Sequence, residues 1–529
     1  MTSDGDAPRD HTGAPAEVPV DSNAATAEVR VIAEPELEFR HGQRLSDPKA
    51  GLALFGPFDA DRAGRPNSVT YGVIGTTDGV ALFEAFSARI ADPIISTAYG
   101  EGEDRKEQLL WPPFPGFEAA FACQWPARPA WHRVLNPERL VTAARHNDKY
   151  QRAYDVANMY LDAVRVAKQR DENFGVIVCV VPDQVWENCR PLSRVDDGVG
   201  VAVSKKERQE RRLSADLFDA YKPEQYDLSV EFRRQLKARV MEYGIPVQIV
   251  RESTLLLREV TAQDPRSLTK LSDRAWNLGS ALYYKAGGKP WRLATARKGV
   301  CYVGLAFRRS EVDEAPETAC CAAQMFLDSG DGVVFRGEFG PWYSMARKEY
   351  HLSATAAEQL LRGVLEAYKE GDGGPLTEVF LHSRSTISHE EFEGYKRACP
   401  DGVKLVGVRV RRDRDGLRLY RHGDWPVLRG TVWVTGLRTA YLWASGFKPT
   451  VLSYDGWEVP APLRIDVEHG DADIEQVARD VLGLTKLNYN TCKLGDGQPV
   501  TVGFSDAVGE ILVGNPYIKR RLPAFKFYI

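Results

Sequence analysis

No Cys-x-x-Cys pair occurs among the eight cysteines of this chain, and its nine histidines are scattered without metal-ligand spacing. That excludes a structural zinc site and a regular disulfide framework as organising devices. Most of the cysteines sit in apolar strand-like runs, the pattern of reduced, buried thiols, and the compartment expected is the cytoplasm. Long hydrophobic segments are missing as well. The longest strongly apolar run, Val176 to Val181, is far too short to cross a bilayer. The first thirty residues lack the basic start and apolar centre of a signal peptide, and residues 1–35 are expected to form a disordered acidic tail. Charge of one sign is also absent: 69 Lys and Arg against 73 Asp and Glu leave a net charge of −4. A nucleic-acid surface, if present, is therefore a local patch on a mixed background. No repeat or low-complexity array appears.

What is there is 529 residues of ordinary globular composition, enough for two or three domains. After a turn-rich lead over 36–64, strands and helices alternate. Val69–Gly75 reads as a strand, Ala81–Ile90 as a helix and Phe117–Cys123 as a strand. Arg145–Gln169 reads as a long helix, and Gly175–Val181 and Ile245–Val250 as buried strands. This alternation predicts a parallel sheet in an α/β layer fold.

The most informative stretch runs from Ser229 to Leu293. Ser229 is the expected N-cap of a helix whose buried stripe is Phe232, Leu236, Val240 and Tyr243. Arg233 and Lys237 stand four apart on the neighbouring face, where like charges repel by a few tenths of a kcal/mol, roughly. Two readings are open, a solvated basic face or a site whose anion offsets the repulsion. Gln248 follows inside an apolar strand. A second helix then ends at Lys285, before the stop signal Gly287-Gly288.

The second half begins another α/β unit. Gly299–Phe307 reads as a buried strand, and Thr318–Leu327 and Gly332–Glu338 as antiparallel partners. A helix capped by Ser353 and a strand at Thr377–His382 come next. Val403–Arg411 and Gly416–Arg421 are expected to pair as a hairpin across Asp415-Gly416. Arg409 and Arg411 share one face of it, fit either for a phosphate backbone or for solubility. The charge run Lys205, Lys206 and Arg208 invites the same two readings.

The order Arg233, Lys237, Gln248, then Lys285 before Gly-Gly resembles the MID domain of Argonaute proteins, which grips the 5′ phosphate of a guide strand. Arg233 stands where the family often has tyrosine, and a further lysine of some members is replaced near Ala281. Val303-Gly304-Leu305, Leu487-Asn488-Tyr489-Asn490-Thr491 and Phe504-Ser505-Asp506 are similar to the PIWI domain. The resemblance covers about residues 36 to 529. It implies a Rossmann-like MID domain over 65–290 and an RNase H-like PIWI domain over 291–529, the arrangement of a short prokaryotic Argonaute.

An RNase H-like nuclease needs clustered carboxylates holding two metal ions about 4 Å apart. At the matching positions this chain has Ala306 and Ser385, and Asp506 alone keeps the carboxylate. Glu338 and Glu349 stand in no recognisable context and Asp328 and Asp331 read as a turn, so no cleavage is expected; a metal-dependent nuclease with a rearranged active site and a general nucleic-acid-binding protein are the alternatives. The resemblance further implies a guide RNA and a single-stranded DNA target. It also implies a partner carrying an APAZ module with a sirtuin-like, TIR or nuclease effector, acting against invading plasmid or phage DNA. In some family members the terminal carboxylate reaches the phosphate pocket. Here that would let Gln248 and Ile529 share Mg2+ with the guide phosphate; a C-terminal segment merely packed on the core is the alternative.

Overall fold

The computed structural model describes residues 28–95, 109–213, 223–260, 268–309, 319–326, 332–370, 374–413, 416–454, 456, 458–513 and 524–529. Residues 1–27 of the expected tail, and Asp328 and Asp331, lie outside the described residues. Two sheets organise the rest.

The smaller sheet has four parallel strands in the order Trp131–Val134, Tyr71–Gly75, Val176–Val181, Val247–Arg251. Every residue of Val176–Val181 is buried. Val176, Val178 and Val180 enter one apolar cluster, and Ile177, Cys179 and Val181 enter another on the opposite face. A run without polar alternation is what a strand covered on both sides requires. The helices Thr77–Ala91 and Lys149–Lys168 supply part of that cover.

The larger sheet has nine strands. From one edge they run Val29–Val31, Thr431–Gly436, Thr439–Trp443, Leu463–His469 and Lys404–Arg412. Glu378–Ser383, Val300–Arg309, Ala319–Phe326 and Gly332–Gly340 follow. The last three form an antiparallel meander. Glu378–Ser383 then lies parallel to Val300–Arg309, and Lys404–Arg412 parallel to Glu378–Ser383. The α/β layering is what the sequence pattern predicts, and an RNase H-like unit following a Rossmann-like one is what the resemblance implies.

Four local expectations are corrected. Phe117–Phe121 is a helix, not a strand. Phe117, Ala120 and Phe121 are the buried positions, a three-to-four spacing, and Glu118 and the alanines favour the helix. Lys404–Arg412 makes no hairpin with 416–421; it is an interior strand between Glu378–Ser383 and Leu463–His469. Fully buried Val406, Val408 and Val410 need neighbours on both sides, and an Asp-Gly signal is only local. The acidic tail does not extend to residue 35. Val29–Val31 pairs with Thr431–Trp433, and Glu34 is ion-paired to Arg429 and Lys486. Ser229 is not the N-cap either. The helix starts at Phe232, and the Ser229 hydroxyl accepts the Glu231 N–H from outside it.

Candidate nucleic-acid interface

Helix Phe232–Val240 packs its Phe232, Leu236 and Val240 stripe against the smaller sheet's second core. That leaves Lys237 facing the seam between the two halves. Its side chain is buried, at 4% exposure, and donates from Nζ to the Tyr528 carbonyl at 3.4 Å. Helix Leu271–Lys285 brings in Lys285, which is 0% exposed and donates to Asn490 Oδ1 at 3.2 Å. The helix can stop there because Gly287 adopts φ 104° and because a Cβ at Gly288 would sit 2.4 Å from the Tyr283 ring.

The electrostatics join these residues to Arg233. Burial drives the Lys237 ammonium well below its usual pKa, and Arg233 and Lys285 push it further, against a small opposing pull from Glu231. Burial, then Arg233, lowers Lys285 to about 7. Among the described residues no carboxylate lies within ion-pairing distance of Arg233, Lys237 or Lys285. Three basic groups held this close, two of them buried, resist carrying their full charge until an anion completes the site.

Gln248 donates Nε2 to the Ile249 carbonyl at 3.2 Å, and its Oε1 is buried with no protein partner. Ile529 is buried at the same seam, where Phe525 packs edge-on to Phe326 and Phe504. Sequence reasoning missed the second-half contributors, Asn490 and the Tyr528 carbonyl. It had noted Leu487–Thr491 for fold alone. Tyr489 of that segment stacks on Tyr284, ring centroids 4.7 Å apart, and so holds Asn490 over Lys285.

The expected backbone contacts separate into two groups. Lys205 and Lys206 are exposed on helix Lys205–Leu213, and Arg411 is exposed on its strand. Arg208 is engaged: it hydrogen-bonds the Tyr150 hydroxyl at 2.7 Å and lies over that ring. Arg409 is engaged too, its guanidinium 3.4 Å from Glu349 and 3.7 Å from Glu468. Arg411 instead lines a cleft of about 550 Å³ with Arg384, Arg412, Asn488 and Gln498. Asn488 faces this cleft while Asn490 reaches Lys285, so one short segment connects the lysine pocket with the arginine cleft.

At the positions where nuclease carboxylates were sought, Ala306 is a buried methyl group on Val300–Arg309. Gly304, two residues earlier, admits the Thr501 carbonyl to within 2.0 Å of where a Cβ would stand. His382 lies beside Gly304 in register; its Nδ1 is 2.9 Å from Thr501 Oγ1, and burial lowers it to about 4, so the ring is neutral near pH 7. Ser385 lies just past the neighbouring strand, its amide donating to Ser383 Oγ. Asp506 occupies the first turn of helix Ser505–Val513. Glu349 is held by Arg409 and by the Thr386 hydroxyl at 3.4 Å. Because Val408 and Val410 share the core face of Ala306, Arg409 and the Glu349 it holds belong to the opposite side of the sheet. No group of three or more His, Cys, Asp or Glu among the described residues is placed to hold a metal. No helix among them is long and apolar enough to cross a membrane.

No family model matches the chain, and no curated protein matches it. Solved structures do. Clostridium butyricum Argonaute bound to a guide DNA and a 19-mer target DNA is 15% identical, with a TM-score of 0.60 over 95% of this chain and 55% of that one. Aquifex aeolicus Argonaute is 12% identical, with a TM-score of 0.54 over 95% of this chain and 56% of that one. The same protein with an externally bound siRNA gives 12%, 0.53, 95% and 56%. The chain has an Argonaute-like fold and spans little more than half the length of these neighbours.

Proposed function

We propose that this chain holds the 5′-phosphorylated end of a guide strand and presents the strand for base pairing, without cutting the target itself. The observation that carries the reading is the lysine pocket. Arg233, Lys237 and Lys285 interact across two helices at the seam, and among the described residues no side-chain carboxylate pairs with them. A terminal phosphate monoester supplies the missing charge and accepts several charge-assisted hydrogen bonds at once. The cleft lined by Arg384, Arg411 and Arg412, with Asp496 also on its wall, is the proposed track for the following backbone phosphates.

Mg2+ is the proposed companion of the phosphate. The orphaned Gln248 Oε1 and the terminal carboxylate of buried Ile529 are hard oxygen donors of the kind it takes. Bound there, it would add positive charge against the phosphate; the lysines do the positioning.

The proposed guide is RNA and the proposed target single-stranded DNA of invading plasmids or phages. The proposed output passes to an APAZ-containing effector that depletes NAD or cuts nucleic acid. Ala306 and Ser385 supply no carboxylate for a two-metal centre. The test loads the protein with a phosphorylated guide and adds a labelled complementary DNA with Mg2+ or Mn2+. Stable capture of intact target is expected; a cleaved product would overturn the non-cleaving assignment.

A further inference from the structure

Helix Phe232–Val240 presents two adjacent arginines to different surroundings. Arg233 faces Lys237 and Lys285 and has no hydrogen-bond or ion-pair partner among the described residues. Arg234 lies about 100° further round the helix. Its Nε is 2.5 Å from Glu231 Oε2 and 2.7 Å from Glu510 Oε2, ion pairs held by charge, because neither carboxylate lies in line with the buried Nε–H to accept a hydrogen bond. The other oxygen of Glu510 lies 3.5 Å from Arg308 Nη2. Glu510 belongs to helix Ser505–Val513, which packs on both the pocket helix and strand Val300–Arg309. The Arg234 and Glu510 side chains are each only 19% exposed, so the pair is shielded more than a surface ion pair.

We propose that Glu510 is a positioning residue for the phosphate pocket. Resting on the pocket reading above, the inference is that its carboxylate ties Arg234, and so the first turn of the pocket helix, to the strand that ends at Arg309. Arg233 is thereby held in register with Lys285. Glu231 alone cannot do this, because it belongs to the same turn and moves with it. Glu510 reaches the turn from the other half of the chain and is braced on its far side by Arg308.

Two effects of removing the carboxylate oppose each other, which makes the role separable from plain electrostatics. Losing a negative charge strengthens attraction for any oligonucleotide, whatever its 5′ end. Loosening the helix turn weakens only the grip on a terminal phosphate. The readout is therefore the ratio of affinities for 5′-phosphorylated and 5′-hydroxyl forms of one oligonucleotide, measured with the full chain by fluorescence anisotropy. In E510Q and in R234Q the ratio should fall about tenfold, with hydroxyl-end affinity unchanged or higher in E510Q and unchanged or lower in R234Q. The double variant R234Q/E510Q should fall no further than either single one, since both break the same tie. E510D keeps the charge with a shorter reach and should give an intermediate ratio; it decides the matter if E510Q does not fold. A wild-type ratio in these variants, or fully multiplicative losses in the double variant, would overturn the inference while leaving the pocket intact. Absence of any 5′-phosphate preference in the unsubstituted chain would overturn the pocket reading and this inference together.

Discussion

Lys237 and Lys285 are buried amines whose neighbours are other cations, and that arrangement has consequences in the absence of ligand. Between about pH 7, where Lys285 titrates in the folded chain, and 10.5, its ordinary value, the unfolded chain binds more protons than the folded one. Stability of the free protein therefore rises with pH across that window. Denaturant titrations at pH 7 and pH 9 should show the rise, and Lys285→Met should reduce it to the share that Lys237 contributes; an equal slope in the variant would contradict the assignment. With a phosphate bound, the same lysines become charged donors. Lys237→Ala or Lys285→Ala should then weaken binding of a phosphorylated end by about 1.5–3 kcal/mol, the range for hydrogen bonds to charged groups. Binding of a hydroxyl end should barely change. Competition binding with the two ends checks this directly.

At the scale of elements, the tightest joints are those where a backbone or a charge enters an apolar layer. Gly304 lets segment Val500–Gly503 rest on the central strand, with the Thr501 carbonyl where a side chain would be. Gly304→Ala should overpack that joint by about 1–3 kcal/mol, since the obstacle is backbone and cannot rotate away. Thermal unfolding measures it. Glu34 clasps Arg429 and Lys486, both almost fully buried. Glu34→Gln leaves two buried cations short of a partner and should cost about 3–5 kcal/mol. A change within error in denaturant unfolding would show that the clasp is dispensable.

The same joints show what the chain's pattern could and could not convey. Val176–Val181 declares its class because unbroken β-branched residues tolerate little else. Lys237, Gln248 and Lys285 are legible by their order and spacing. Their partners are not: Asn490 meets Lys285 across 205 residues, and Tyr528 meets Lys237 across 291. No local signal records such distances. Phe117–Phe121 misleads because a short run of phenylalanine and alanine is apolar in either period. Arg409 looks free in the strand pattern, yet Glu349 and Glu468 reach it from other elements.

For the whole molecule, the relevant fact is that the two halves share a core. One apolar cluster runs from Leu37 and Val73 through Trp276 and Trp291 to Ile465 and Ile529. The proposed phosphate pocket lies on this seam, where Lys237 meets Tyr528 and Lys285 meets Asn490. A net charge of −4 gives no overall attraction for polyanions, so affinity is proposed to come from the pocket and the arginine cleft. The most direct test is the affinity of the intact chain for one oligonucleotide carrying either a 5′ phosphate or a 5′ hydroxyl, at fixed salt. Binding at least tenfold tighter to the phosphorylated strand is the expected result; equal affinity for the two ends would contradict a pocket built to hold a guide.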